Sequence, residues 1–355
     1  MNDHQMGGFA RLSRIAAATA VVAIAAVIAA ACGSSDSSSS SSATSSGGGT
    51  AKAANVAWLT YSNDGLYIPQ EVAGTEGVIS PNGGSVTLFD AKLDQQEQLK
   101  QCEDALTSQR FNAIVLQPVN NAAAAVCVTQ ARAAGIPVVA LEFPVGDNPN
   151  TLDIQVPGVV GTVAGTVQGQ AEKAYQGLQD ACKGMTQCNV ALEVAARADP
   201  LGAAIIDQVK KNGAADGIKL VAITEGAYDI AQTAKTLPDV IAANPDLNVF
   251  MAEADTNALA AIPVIKDTGK ENQIKVMGLG GSTSMIDAIK AGTVYGTVAY
   301  WPLTAGKVVG QMVQDAVDGK AIANTGVDFQ TVAPDQPLIV TKENVDKFTP
   351  EWGEQ

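Results

Sequence analysis

The chain has 355 residues, 46% of them hydrophobic, and 36 Asp and Glu outnumber 22 Lys and Arg for a formal charge of −14. So acidic a surface repels phosphates and excludes nucleic acid as a partner. The only histidine, His4, stands at the extreme N-terminus, so the rest of the chain has no imidazole for general-base or metal work.

The N-terminal stretch carries Arg11 and Arg14, and Ile15 to Ala31 is apolar apart from Thr19. A basic start, an apolar run and small residues before a boundary predict a secretory signal peptide over 1–31. The run is shorter than the roughly 20 residues of a spanning helix; an uncleaved membrane helix is the alternative. Ile28-Ala29-Ala30-Ala31-Cys32 resembles the lipobox of bacterial lipoproteins, with Ala29 where a Leu is usual. The resemblance implies cleavage before Cys32, lipid attachment at Cys32, and anchoring on the outer face of the cytoplasmic membrane. Cleavage would also remove His4 and take the charge to −15. Residues 32–54 are almost all Gly, Ser, Thr and Ala, a composition that reads as a disordered linker with a reach on the order of 26 Å.

From Asn55 onward short apolar runs alternate with helical patterns. VAWLTY, SVTLFDA, NAIVLQP and IPVVALEF read as strands, separated by helices from Tyr67 to Ile79, through DQQEQLKQCEDALTSQR, and through AAAAVCVTQARAAG up to Gly135. GVVGTVAGTVQG, from Gly158 to Gly169, reads as a tight strand-to-helix turn. The rhythm restarts at NVALEVAA and continues through IKLVAIT, NVFMAEA, IKVMGLG and YGTVAYW, with helices between them and a long one from Leu303 to Asp318. Strands alternating with helices predict βαβ units, hence an α/β fold with parallel sheets, here in two similar halves.

Cys102, Cys127, Cys182 and Cys188 remain after Cys32, and an even number in an exported chain predicts disulfides. Three pairings are possible. Right-handed crossovers put the second and third helices on one face of a sheet, which allows Cys102 to meet Cys127 and leaves Cys182 and Cys188 to close a small loop. GLGGSTS would need glycine at Thr283 to complete a G-x-G-x-x-G fingerprint, so no dinucleotide site is expected. No paired-carboxylate motif or metal-ligand spacing stands out, and no catalytic residue, metal or cofactor is expected.

QRFNAIVLQPVNNAAA, ARAAGIPVVALE, TLPDVIAANPDLNVFMAEADTNALAA, IKVMGLGGSTSMIDAIKAG and GTVAYWPLTAGKVVGQMVQDAVDGK occur in the order and spacing of one family. The chain from about Val56 to Phe348 resembles the sugar-type, ribose-binding-like periplasmic binding proteins, the type I solute receptors of ABC importers. The resemblance implies two doubly wound parallel-sheet lobes joined by a three-strand hinge. The strands cross near Ile154 to Pro157, Tyr300 to Pro302 and Phe329 to Thr331. Lobe 1 is then 55–155 plus 303–329, and lobe 2 is 156–302 plus 330–355. Ligands of open α/β sheets sit at the carboxyl ends of the strands, so a monomeric receptor would close its lobes on a small molecule and present it to importer permease subunits. A non-enzymatic role follows. A ligand-sensing ectodomain of a membrane receptor would use the same closure.

The resemblance also names the candidate contacts. Tyr61, Asp64 and Tyr67 follow the first strand, at the family's polar and sugar-stacking aromatic positions. Glu142 and Phe143 end the fourth strand at an Asp-Arg pair, and Arg197 lies near a ligand-binding Arg. Asp255 falls in the family's Asn-Asp, though a helix N-cap is an equal reading for it, and Tyr300 takes the place of a Gln, followed by Trp301. Glu142 and Arg197, from opposite lobes, could instead form a closure salt bridge. Gly280 replaces the Asp of a GxDG pattern. These departures leave fewer polar groups and more aromatic faces. A sugar or polyol is the leading ligand, and an aromatic, apolar or cationic solute the alternative.

Overall fold

The computed structural model describes residues 51–63, 65–197 and 199–353. The signal peptide, Cys32, residues 32–50 of the expected linker and Asp64 lie outside them; its last residues, 51–54, belong to the fold instead, with Ala54 fully buried and Lys52 N donating to Asp318 Oδ1 at 2.8 Å. The described residues form one compact unit. Among the described residues no helix is long and apolar enough to cross a membrane.

The first sheet is built from β1 (Asn55–Thr60), β2 (Ser85–Asp90), β3 (Ala113–Leu116), β4 (Val138–Glu142), β5 (Val159–Ala164) and β11 (Gly326–Asp328). They lie in the order β11-β5-β4-β3-β1-β2, with every pairing parallel. The second sheet holds β6 (Cys188–Val194), β7 (Ile218–Glu225), β8 (Val249–Ala252), β9 (Lys275–Gly280), β10 (Gly296–Ala299) and β12 (Ile339–Thr341), in the order β12-β10-β9-β8-β6-β7. Only β12 there runs antiparallel. The expected α/β fold of two parallel-dominated sheets is what the chain adopts.

Alternation along each strand divides the core. Val56 and Trp58 of β1 face α1 (Tyr67–Ile79) and α9 (Pro302–Asp318), whereas Ala57 and Leu59 face α2 (Gln95–Thr107) and α3 (Ala125–Ala133). The second sheet is covered on one face by α4 (Val167–Cys182) and α5 (Pro200–Asn212). On the other lie α6 (Ile230–Ala243), α7 (Asp255–Asp267) and α8 (Thr283–Ala291). Helix starts follow from local chemistry: Asp94, Thr166, Asp199, Asp229 and Ser282 each accept from an amide of the turn they cap. Helices α1 and α9 cross closely because a Cβ at Gly74 would overlap Leu303 O, and one at Gly306 would overlap Glu71 O.

Cys102–Cys127 joins α2 to α3 and Cys182–Cys188 closes a short loop before β6, with Cα separations of 5.9 and 5.6 Å. The expected first crossing at 154–157 is corrected. Val159–Ala164 is a strand of the first sheet, paired with β4 and β11, so the chain passes to the second sheet only at Gly165-Thr166. Its glycines misled the sequence reading: a Cβ at Gly161 would lie 2.6 Å from Met312 Sδ, so Gly161 admits α9, and Gly165 forms the turn. The other two passages fall at Tyr300-Trp301 and between Phe329 and Leu338.

Candidate solute-binding cleft

The carboxyl ends of both sheets meet around a set of buried acids and aromatic rings. On the first sheet the organiser is Gln117, which follows β3 and is fully buried. Its Oε1 accepts from Trp58 Nε1 at 2.7 Å, and an indole nitrogen can only donate, so the orientation of the amide is fixed. Gln117 Nε2 then donates to Glu71 Oε2 at 2.7 Å and to Glu142 Oε2 at 3.1 Å. Gln98 Nε2 holds the Gln117 carbonyl at 2.8 Å. Two carboxyl groups, from α1 and the end of β4, thus share one amide.

Burial, then the neighbouring Glu142, pushes the Glu71 carboxyl well above its usual range, and Gln117 opposes the shift. Burial holds Glu142 up at about 7, against the opposing influence of Tyr61, Gln117 and Tyr67. Glu142 also carries φ +63, a left-handed conformation that a side chain rarely adopts and that marks stored strain. Glu71 Oε1 and Tyr67 Oη are buried without a hydrogen-bond partner of good geometry.

On the second sheet Glu253 follows β8. Its Oε2 accepts from Ala195 N at 2.8 Å, and its Oε1 lies 3.4 Å from Tyr228 Oη. Burial raises it to about 7, relieved by the Ala195 amide. The deeper Glu193 accepts on Oε1 from Thr233 Oγ1 at 2.6 Å and Asn257 Nδ2 at 2.9 Å, and its Oε2 lies 3.4 Å from Thr224 Oγ1.

Aromatic rings close the sides. Tyr61 packs on Phe143 at 6.3 Å, and Tyr67 meets Tyr300 edge-on at 6.4 Å and Trp352 at 5.4 Å. Tyr300 in turn rests on Phe329 at 5.3 Å. Burial, and the acids Glu253, Glu142 and Asp255, keep the Tyr300 phenol far above its usual range. These side chains come from both sheets and the passage between them, so they meet only in the folded chain.

Of the residues chosen from sequence, Tyr61, Tyr67, Glu142, Phe143 and Tyr300 are brought together. Arg197 is not: more than half exposed, it donates to Ile223 O at 2.5 Å and lies 3.9 Å from Glu225. The alternative bridge to Glu142 therefore does not form. Asp255 is fully buried, with its oxygens taken by Ser282 N and Thr297 Oγ1, both at 2.7 Å. It is the first residue of α7 and Ala254 is the cap, so Asp255 braces the β9–α8 loop. Burial, offset mainly by Ser282 and Thr297, sets it at about 6. Trp301 is 1% exposed and packs on Phe348 in the core of the second half.

Sequence reasoning missed Glu71, Gln117, Tyr228, Glu253 and Trp352 as members of the cleft. Trp352 donates from Nε1 to Gly280 O at 2.9 Å, and its carbonyl accepts from Thr283 N at 2.8 Å. A Cβ at Gly280, which has φ +144, would overlap the indole. The missing carboxylate at 280 was the one available hint, because the indole occupies that space. Beside it, Glu351 accepts from Thr304 N at 2.8 Å and from Thr304 Oγ1, so the last described residues tie α8 to the start of α9.

The periplasmic binding protein domain model matches residues 56–321. The ribose import binding protein of Bacillus subtilis is 25% identical over 257 residues, covering 71% of this chain and 78% of that protein. A solute-binding protein from Actinobacillus succinogenes, crystallised with D-allose, superposes with a TM-score of 0.71 at 18% identity. It covers 83% of this chain and 100% of that one. One from Bacillus halodurans with bound myo-inositol gives 0.68 at 18% identity, covering 85% and 100%. With two parallel sheets meeting at their carboxyl ends and a match across most of its length, this chain belongs to the periplasmic binding protein family, the non-enzymatic solute receptors of ABC transporters.

Proposed function

We propose that the protein is a lipid-anchored extracytoplasmic receptor that captures one small polar solute of sugar or polyol size by closing its two halves, and delivers it to an ABC importer. The observation that carries this reading is the joint ownership of the cleft. Gln117, Glu142 and Tyr67 stand on the first half, Glu253 and Trp352 on the second, and Tyr300 on the passage between them. A solute touching both sets favours the closed arrangement by its differential affinity for it. The names of the relatives support a sugar or polyol. Cys32 after a short apolar run, with the Gly/Ser linker behind it, supports a tethered receptor.

The test is a thermal-shift screen of sugars, polyols, aromatic acids and amines. A true ligand at about 100 times its Kd adds about 2.7 kcal/mol to stability. A screen in which no solute moves the melt refutes the reading. For the anchor, the protein is expected to incorporate labelled fatty acid in cells and Cys32→Ser to incorporate none, and unlabelled wild-type protein refutes lipid attachment at Cys32.

A further inference from the structure

The cleft carries one sign of charge. Glu71 and Glu142 accept from a single amide nitrogen, so their bonded oxygens lie within about 6 Å of each other. Glu253 comes from the opposite half, and Tyr228 stands within electrostatic reach of both Glu253 and Glu142. Among the described residues no lysine or arginine acts on Glu71, Glu142 or Glu253. Arg197, the base expected there, is turned to Glu225. Buried carboxylates without a counter-charge are costly.

The floor also retains an unspent acceptor. Glu71 is 1% exposed, yet its Oε1 has no hydrogen-bond partner, while its Oε2 is held beside Glu142. A sugar hydroxyl could donate to that oxygen but brings no charge that would favour the ionised carboxylates. An ammonium donates several N–H bonds and brings the opposite charge. Aromatic faces, to which a desolvated cation is attracted, stand around the same pair in Tyr61, Tyr67, Phe143 and Tyr300.

We infer that the solute carries a cationic amine: a sugar- or polyol-sized molecule whose ammonium group seats between Glu71 and Glu142 while its hydroxyls face Glu253 and Tyr228. This rests on the receptor reading above and narrows its ligand class. Burial holds Glu142 at about 7 and Glu71 above its usual range, so a seated ammonium, which favours the charged carboxylates, displaces a proton near pH 6.5. Among the described residues the titratable groups acting on the pair are Tyr61, Tyr67, Tyr228 and Tyr300, none of them basic.

The experiment is isothermal titration of the full chain with two matched pairs, N-methyl-D-glucamine against D-glucitol and D-glucosamine against D-glucose. It is run near pH 6.5 in buffers of different ionisation enthalpy, with calcium chloride as a separate arm. In at least one pair the amine is expected to bind about tenfold or more tighter than its neutral partner, releasing close to one proton. Glu71→Gln and Glu142→Gln are expected to weaken amine binding about tenfold or more, and by a clearly larger factor than they weaken the neutral partner. A melt of each variant separates lost binding from lost fold, and Glu253→Gln provides a second neutralisation from the opposite half. Neutral partners binding as tightly as the amines overturn the inference, as do calcium binding in place of amines or glutamine variants that affect both partners equally. If neither pair binds while the wider screen finds a neutral solute, the inference falls and the receptor reading stands; if that screen is also blank, both fall.

Discussion

Replacing Glu142 by Gln should stabilise the protein, and the gain should grow with pH. Glu142 is 7% exposed, and burial holds its carboxyl at about 7 against an ordinary value of 4.5. Because the folded value is the higher one, the folded chain binds the proton more tightly than the unfolded chain. The resulting stability is fully present below about pH 4.5 and is lost as pH rises through about 7. At 1.36 kcal/mol per pH unit, the loss by pH 8 is about 3 kcal/mol. Glutamine keeps the shape and has no charge to bury, so Glu142→Gln should escape that loss. It also removes the neighbour that, after burial, raises Glu71 most. The gap between variant and wild type should be below about 1 kcal/mol at pH 5 and reach about 3 kcal/mol at pH 8, or roughly 6 °C in Tm for a chain of this size. Denaturant titrations and thermal melts of both proteins from pH 5 to 8, without added solute, measure it. A gap that stays flat across this range, or a variant less stable at pH 8, would refute the claim that Glu142 is held protonated by burial.

Four further outcomes follow from the packing and the cleft. Gly306→Ala places a methyl group against Glu71 O across the α1–α9 crossing and should cost about 3 kcal/mol or more in a denaturant titration, as overpacking of a rigid contact does. Cys102→Ser opens a loop of sequence separation 25 and should cost about 3 kcal/mol, against about 2 kcal/mol for Cys182→Ser with separation 6. Arg197→Ala should change the affinity of the identified solute by less than about twofold, since its guanidinium serves the edge of the second sheet. Trp352→Ala removes a wall against Tyr67 and should weaken the same solute by about tenfold or more by titration calorimetry.

The α/β architecture was legible because each strand is a short apolar run and each helix has its own period and stop. The same rule failed at Val159–Ala164, where glycines that admit α9 look like turn residues. In the cleft, Tyr61, Glu142, Phe143 and Tyr300 stand at strand ends, where parallel sheets present side chains, and Tyr67 opens the helix after β1; the family resemblance pointed to all five. Glu71 and Glu142 form a pair that no motif announces, since one belongs to a helix turn and the other to a strand end far along the chain. Trp352 reaches Gly280 from the far end of the chain, a neighbourhood that only tertiary folding creates. Trp301, by contrast, sat at a promising position and is consumed by core packing.

The layout of the first sheet has a consequence for synthesis and export. The face bearing Val56, Trp58, Val115 and Val139 is shared with Ala305, Val309 and Val313 of α9, and Thr75 bonds to Gly306 across 231 positions of sequence. A chain emerging amino end first therefore holds a greasy plane covered only in part, by α1, until its final portion arrives, which exposes a nascent intermediate to clumping. No cut before α9 yields the first half as a self-sufficient fragment, because α9 and β11 stay with the other piece.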